Sequence, residues 1–425
     1  MVNEKKWLLL AVFLPNLLLA QEVAKLTLED AYSQAEKNYP VIKQKDLVRQ
    51  TADLNSSNLS KSYLPQFSLN GQATYQSDVT KVAVSFPGII IPIPQKDQYK
   101  ITADVSQVLY DGGVVKQQKI LQELNAGVEE QKVEVELYKL KERINQLYLG
   151  ILYLEEQLKQ VDLIKTDIQS GIKKVEAQVN NGVAFKSNLI VLKAELLKTD
   201  QRTIELRASR KGFLETLGLF LNQTLTDDIV LLHPVLPSSQ PLTTAIQRPE
   251  LKLYNEQVKL FGQQNNLIHS KNLPKANLFV QGGYGRPGLN MLDDQFDFFY
   301  TGGVKLNWSL SGLYTQKKEK QLVKINQQVV DIQKETFLLN INTQLKQQQS
   351  EIEKLDQLIT SDKEIIELRK NVKDAAKAQL ENGVITANDY LREVNAEDQA
   401  RQMLISHGLQ LLQAKINYQT ISGKQ

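Results

Sequence analysis

The sequence predicts a mainly helical protein with a β contribution, in which one helix–strand–strand–long helix–helix unit is written twice. Three observations predict it. Long stretches carry apolar residues at spacings of three and four, short segments alternate with a period of two, and features follow the same order in both halves. "YPVIK" at Tyr39 is matched by "RPELK" at Arg248, and "YLPQFSLNGQATY" from Tyr63 by "NLPKANLFVQGGY" from Asn272, each pair 209 residues apart. "LYDGG" at Leu109 is matched by "LSGL" at Leu310. The Asn-Gly-Val turns at Asn181 and Asn382 follow at the same spacing of 201.

In chain order, residues 1–20 predict a cleaved signal peptide. Lys5 and Lys6 make a basic start, Trp7 to Ala20 an apolar run, and Leu18-Leu19-Ala20 a cleavage site before Gln21. The run is short for a membrane anchor and contains Pro15. The first repeat, 21–222, opens with a helix whose apolar side is Leu28, Ala31, Ala35, Ile42, Leu47 and Leu54. Strands are expected at about 66–76 and 98–109, a long helix at 113–180 and a returning helix at 187–220. Pro, Ser and Thr mark 223–248 as a connector with little regular helix. The second repeat, 249–421, has strands at about 275–285 and 298–310, a long helix at 313–380 and a returning helix at 388–418. Residues 422–425 form a tail.

In the four strands, apolar positions such as Phe67, Leu69, Tyr99, Ile101, Leu278, Val280, Tyr300, Val304 and Trp308 alternate with polar ones. One face in oil and one in water satisfies this pattern, and so does a water-soluble sheet with one buried face. Aromatic residues near strand ends favour a membrane interface. Four strands cannot close a barrel, and open edges are prohibitive in lipid, so a membrane location requires several copies to share one barrel. The first long helix carries a seam from Leu137 through Ile144, Ile151, Val161 and Ile168 to Val179, and would be about 100 Å long at 1.5 Å per residue. The second is more polar, with Ile325, Val329, Ile332, Leu339, Leu345, Ile352, Leu355, Ile359, Ile366 and Val372 as its seam. Each long helix ends at a glycine, Gly182 or Gly383, suited to a left-handed helix stop.

Composition removes several functions. Lys and Arg number 51 against 48 Asp and Glu, so no nucleic-acid footprint appears, and the absence of cysteine excludes disulfides and thiolate chemistry. His233, His269 and His407 are scattered without ligand spacing, and there is no nucleophile elbow, phosphate loop or HExxH helix. The sequence predicts no enzyme, no cofactor and no metal. An apolar segment, "VAVSFPGIIIPIPQ" at 82–95, lies between the first two strands, where Pro87, Pro92 and Pro94 oppose sheet pairing.

"LTLEDAYSQAEKNYPVIKQ", "YLPQFSLNGQATY", "VSQVLYDGG" and the turns at Gly182 and Gly383 resemble, in order and over almost the whole mature chain, the TolC-like outer-membrane efflux proteins. That resemblance implies a homotrimer: a 12-stranded barrel in the outer membrane of a Gram-negative bacterium, continuing into a 12-helix periplasmic α-barrel. It implies a passive exit duct for tripartite efflux or type I secretion, in contact with outer-membrane lipid, a periplasmic adaptor and an inner-membrane pump of the RND, ABC or MFS type. The adaptor-docking tip then falls on Asn181, Gly182, Val183, Asn382, Gly383 and Val384. A periplasmic constriction falls on Asn188, Asp389 and Arg392. Here the chain departs from the family pattern: Arg392 stands where an acid is expected, and Asn188 is the first-repeat counterpart of Asp389. An Asp389–Arg392 surface ion pair is the alternative reading. The rival to the duct is a periplasmic or secreted coiled-coil scaffold.

Overall fold

The computed structural model describes residues 25–80, 88, 93–235 and 245–423. The expected signal peptide, most of the 82–95 segment and part of the connector lie outside them. In chain order the elements are β1 (Lys25–Leu26), α1 (Leu28–Asn38), α2 (Lys43–Ser60), β2 (Gln66–Tyr75), β3 (Asp97–Tyr110), α3 (Val114–Asn180) and α4 (Lys186–Leu221). They continue with β4 (Val230–Leu231), α5 (Pro249–Lys271), β5 (Lys275–Arg286), β6 (Asp297–Asn307), α6 (Gly312–Glu381) and α7 (Ala387–Ser422). Local chemistry sets many boundaries. Thr27 and Asp30 form a reciprocal cap at α1, with Thr27 Oγ1 accepting from the Asp30 N–H at 3.0 Å and donating to its carboxylate at 2.7 Å. Asp111 accepts from the N–H groups of Gly113 and Val115 at 2.8 and 2.7 Å, which opens α3 directly after β3.

The chain divides into two units, each taking segments from both repeats. One comprises Glu36–Arg143, the stretch after the connector to Ser361, and the chain from His407. The other comprises the described residues up to Ala35, Ile144 to the connector, and Asp362–Ser406.

The first of these holds a four-stranded antiparallel sheet in the order β2-β3-β5-β6. Its register places Phe67 opposite Val105, Val105 opposite Val280 and Val280 opposite Gly302; Ile101 lies opposite Tyr284, and Tyr284 opposite Phe298. Because directly paired residues share a face, the apolar positions of all four strands gather on one side. No described helix covers them: Phe67 is 78% exposed, Tyr300 82% and Leu306 73%. A soluble sheet buries this face, so that reading of the alternation is overturned. Toward the loop end of the face, Tyr284 packs against Phe296 and Phe298, with ring centroids 5.5 and 4.6 Å apart.

The opposite face is polar. Asp104 accepts from Asn70 at 2.7 Å, from Thr102 at 3.1 Å and from Gln281. Phe299 packs against Gly283, where a Cβ would stand 2.5 Å from its ring, and Lys100 sits 4.5 Å from the Phe299 centroid. Among the described residues, β2 and β6 each pair on one side only, so the sheet is open at two edges. β6 ends at Asn307, short of the expected 310. Trp308 leaves the strand and donates its indole N–H to the Asn272 carbonyl at 3.1 Å.

The opening helix of the first repeat is two helices, separated by a short turn at Pro40–Ile42. Leu28, Ala31 and Ala35 are buried as expected, whereas Leu47 and Leu54 on α2 are exposed. The α6 seam also departs from expectation. Leu345 and Leu355 are buried as expected, but Ile325, Val329, Ile332, Leu339 and Val372 are exposed, and Val323, Val330 and Ile341, outside the expected seam, are buried. The chain packs on the other side of that helix.

The second unit is helical, apart from the parallel pair β1–β4, which periodicity did not reveal in so short a segment. The buried Tyr148 hydroxyl lies 2.7 Å from both the Leu26 and Leu232 carbonyl oxygens and pins that pair to α3; burial keeps the phenol protonated. The α3 seam is buried here as expected, at Ile144, Ile151, Val161, Ile168 and Val175. No described helix is long and apolar enough to cross a membrane.

The uncovered apolar face generates a prediction. Val280→Lys, at mid-strand on that face, should cost about 2–4 kcal/mol per copy in a bilayer and reduce the folded, detergent-extracted protein. Gln281→Lys, on the polar face, should leave the yield near wild type in the same extraction assay.

Candidate docking and constriction site

Both Asn-Gly-Val turns lie in the helical unit, and their backbones match. Gly182 has φ +73° and Gly383 φ +72°, a region open to glycine and strained for other residues. The Val183 N–H donates to the Gln178 carbonyl at 2.9 Å and Gly182 N–H to Val179 at 3.0 Å. In the second turn, Val384 donates to Gln379 at 2.8 Å and Gly383 to Leu380 at 3.1 Å. These are paired 6→1 and 5→2 bonds, the Schellman closure of a helix C-terminus. A hydrophobic contact usually accompanies that closure, yet Val183 is 74% exposed and Val384 71%. Gln178 ties the helix ends together, donating to the carbonyls of Leu380 and Glu381 at 3.1 Å each. Asn181, Gly182, Asn382 and Gly383 are also exposed, so the six predicted tip residues form one exposed surface.

After the turns the repeats diverge. The second return helix opens with a reciprocal cap of the kind seen at Thr27–Asp30. Thr386 Oγ1 donates to Asp389 Oδ2 at 2.7 Å and accepts from the Asp389 N–H at 3.3 Å, while the Thr386 N–H donates to the carboxylate at 3.1 Å. The Thr386 hydroxyl and N–H, with a smaller contribution from Arg392, hold the Asp389 carboxyl below the ordinary carboxylate range. Arg392 does not form the alternative ion pair with Asp389; its guanidinium lies 3.1 Å from Glu393. In the first repeat the same helix start is Phe185, which makes no side-chain cap and is 81% exposed. Asn188 there is half-buried, its N–H donating to the Phe185 carbonyl at 3.0 Å.

Beyond the turns, the core packs Ile168, Val175 and Leu192 with Ala376, Leu380, Ala387, Tyr390 and Leu391. Tyr390 is fully buried, its hydroxyl has no hydrogen-bond partner, and burial pushes its pKa up to about 12. Gly171 makes room for its ring, since a Cβ there would stand 3.3 Å away. An ion network follows. Lys373 Nζ lies 2.8 Å from Asp167 and 2.6 Å from Glu397, and Arg401 reaches Glu397 at 2.6 Å. Asp398 accepts from Gln160 at 3.2 Å and from Arg202 at 3.3 Å. Side chains from α3, α4, α6 and α7 are thus joined. Glu397, on the return helix α7, is only 4% exposed, so its carboxylate is held inside this packing.

The fold and the turns now stand beside known structures. No family profile matches the chain, and no curated protein matches it. Solved structures do. VceC, an outer membrane protein of Vibrio cholerae, superposes with a TM-score of 0.66 at 14% identity, over 93% of this chain and 96% of VceC. CusC, studied for its folding and transmembrane channel formation, superposes with a TM-score of 0.66 at 15% identity, over 94% of this chain and 92% of CusC. The open MtrE outer membrane channel of Neisseria gonorrhoeae gives 0.62 at 14%, over 93% and 89%. The chain has the outer-membrane channel fold.

Sequence reasoning placed the turns of this channel fold and missed Phe185, Tyr390 and the ion network. Phe185 lies three residues after Gly182, and a large aromatic residue at a helix start is the signal that could have identified it. Tyr390 and Glu397 read as ordinary helix residues until the packing of four helices is known.

The network generates a prediction with a defined sign. Burial opposes the Glu397 carboxylate, but Lys373 and Arg401 outweigh it and hold its pKa down. Burial likewise opposes the Lys373 ammonium, and Asp167 and Glu397 outweigh it and raise its pKa. The network's stabilisation is therefore complete between the ordinary carboxylate and lysine values, about pH 4.3 and 10.4. It is lost as pH falls through the lowered Glu397 value or rises through the raised Lys373 value. Lys373→Met should cost about 3 kcal/mol near pH 7 by leaving buried carboxylates uncompensated. Adding Glu397→Gln should recover part of that in denaturant unfolding.

Proposed function

We propose that this chain is the outer-membrane exit duct of an efflux or secretion assembly in a Gram-negative bacterium. Three copies share a twelve-stranded barrel that continues into a twelve-helix periplasmic tunnel. The carrying observation is the four-stranded sheet whose apolar face is uncovered and whose two edges are unpaired. The strands are ten to fourteen residues long, sufficient to cross a bilayer when tilted. The likeness to outer-membrane channels supports the reading at the level of fold, and the number three follows from the TolC-like resemblance. The duct is passive: cargo moves through it without a covalent step, and energy and selection come from an inner-membrane pump.

The paired turns are the docking tip for a periplasmic adaptor. Two equivalent backbone stops per copy give six positions around a three-copy ring, with Val183, Val384 and the unassigned Phe185 as apolar contact points. Asn188, Asp389 and Arg392 line the tunnel near this end. The neighbouring Asp389 and Arg392 leave it close to neutral.

Fractionation tests the reading. It expects a detergent-requiring trimer in the outer membrane, and a buffer-soluble periplasmic protein would instead support the coiled-coil scaffold. Replacing both Gly182 and Gly383 with Val should abolish export while the trimer still assembles, because nothing lies within 4 Å of either Cβ position and only the turn itself is strained. Unchanged export in that double variant would remove the docking assignment. Asp389→Asn should make single-channel currents less cation-selective and Arg392→Gln more so. Currents identical to wild type would place both side chains outside the pore.

A further inference from the structure

At the loop end of the sheet, a charged residue stands on the apolar face. Arg286 is paired with Tyr99, and Tyr284 with Ile101, so Arg286 shares the side of those three residues. An arginine on that side is expensive at mid-bilayer, and the cost falls toward the interface. Here the side chain is also enclosed, at only 17% exposed. Its guanidinium carbon lies 5.6 Å from the Tyr99 ring centre and 5.4 Å from that of Phe296. Nη2 donates to the Asp97 carboxylate at 2.6 Å and to the Asp97 carbonyl at 3.1 Å. Nε is buried without a hydrogen bond and stands 4.0 Å from Asp294 Oδ1.

Phe296 and Asp294 come from the segment 287–296, which joins β5 to β6. Phe296 stacks on Tyr284 at 5.5 Å and on Tyr99 at 6.5 Å between ring centres, so it is folded back over the apolar face. Asp294 accepts from the Gln95 N–H at 2.9 Å, just before β3. Two residues of the loop are thus tied to the outer side of the sheet around one arginine.

The size of the mouth gives the tie its consequence. Twelve strands about 4.8 Å apart and tilted about 40° close into a barrel roughly 24 Å across at the backbone. A loop of the length of 287–296 that rises and returns reaches about 16 Å from the rim at about 3.3 Å per residue, beyond an axis about 12 Å away. Three such loops, released from the outer side, are long enough to meet over the opening. Leu289 and Met291, 61% and 63% exposed, give them apolar groups to meet through.

We propose that Arg286 is a clasp: with Asp97, Tyr99, Asp294 and Phe296 it holds the β5–β6 loop against the lipid-facing side and keeps it from closing the mouth of the duct. The inference rests on the multi-copy duct, in which that face turns to lipid. The clasped state is the open one, and breaking the clasp frees a lid.

The chain contains no cysteine, so Met291→Cys places one thiol on each loop. Cells producing Met291→Cys, alone or combined with Arg286→Met, would be treated with a short bifunctional thiol cross-linker and their proteins run on denaturing gels. Arg286→Met/Met291→Cys should give cross-linked dimers several-fold above Met291→Cys alone. Phe296→Ala/Met291→Cys, which keeps every charge, should show the same rise and carries the test where Arg286→Met fails to assemble. In planar bilayers, Arg286→Met should add long closures to the single-channel record, and deleting residues 288–294 from that variant should remove them. Native trimers of both double variants that cross-link no more than Met291→Cys alone, with currents like wild type, would overturn the clasp and leave the duct standing. A wild-type chain that forms no native oligomer would overturn both.

Discussion

The backbone at the two edges of the sheet is the constraint on which the rest depends. β2 and β6 each carry a row of N–H and C=O groups with no strand partner among the described residues. In water such groups are solvated at little cost, but the face beside them is apolar across four strands and uncovered. In lipid that face is satisfied and the edges become prohibitive. Neither solvent suits a single copy. Closure with other copies resolves both demands, and an even strand number lets β6 of one copy meet β2 of the next in the antiparallel sense already used by every pair in the sheet. The polar face, with Asp104 held by Asn70, Thr102 and Gln281, then turns toward the aqueous interior.

The duplicated sequence extends the same logic to the helices. Two Schellman turns with nearly identical φ values and hydrogen bonds place equivalent stops side by side, yet the residues that follow are not equivalent. Thr386 and Asp389 spend their polar groups on capping a helix, which gives Asp389 a local structural role. Phe185 offers no cap and projects an aromatic ring. On the proposed reading, a ring of copies presents alternating aromatic and capped polar positions at its tip, so that a docking partner would meet two kinds of contact.

Much of the fold was legible in the sequence because it is written in simple periods. The four strands, two long helices and two return helices lie within a few residues of their expected bounds, and glycine marked both turns. What was illegible depended on which side of an amphipathic element finds a partner. Leu47 and Leu54 look like core and are exposed, because α2 buries only a small part of its surface, such as Ala52. Glu397 looks like surface and is buried, because Lys373 and Arg401 arrive from elsewhere on α6 and α7. The Asp389–Arg392 spacing suits an ion pair, but the nearer Thr386 cap and Glu393 take their polar groups. At the tip, backbone geometry was readable and side-chain pairing was not.

The exposed seam on α6 explains why that helix reads as the more polar of the two long helices. Ile325, Val329, Ile332 and Leu339 form one seam; Val323, Val330, Ile341, Leu345 and Leu355 lie on the opposite side at 3.6 residues per turn. The second set is buried within the chain and the first is not. Two narrow stripes on opposite sides lower the amphipathic signal that one broad stripe would give. A helix with two such stripes suits a neighbour on each side, as in the wall of a closed cylinder, and the described residues supply only one of those neighbours. On α2, Leu47 and Leu54 keep the seven-residue spacing of Val329 and Leu322, run in the opposite direction and are equally uncovered. Helix and sheet thus impose the same requirement within that unit: surfaces left open at one side of the chain match surfaces left open at the other.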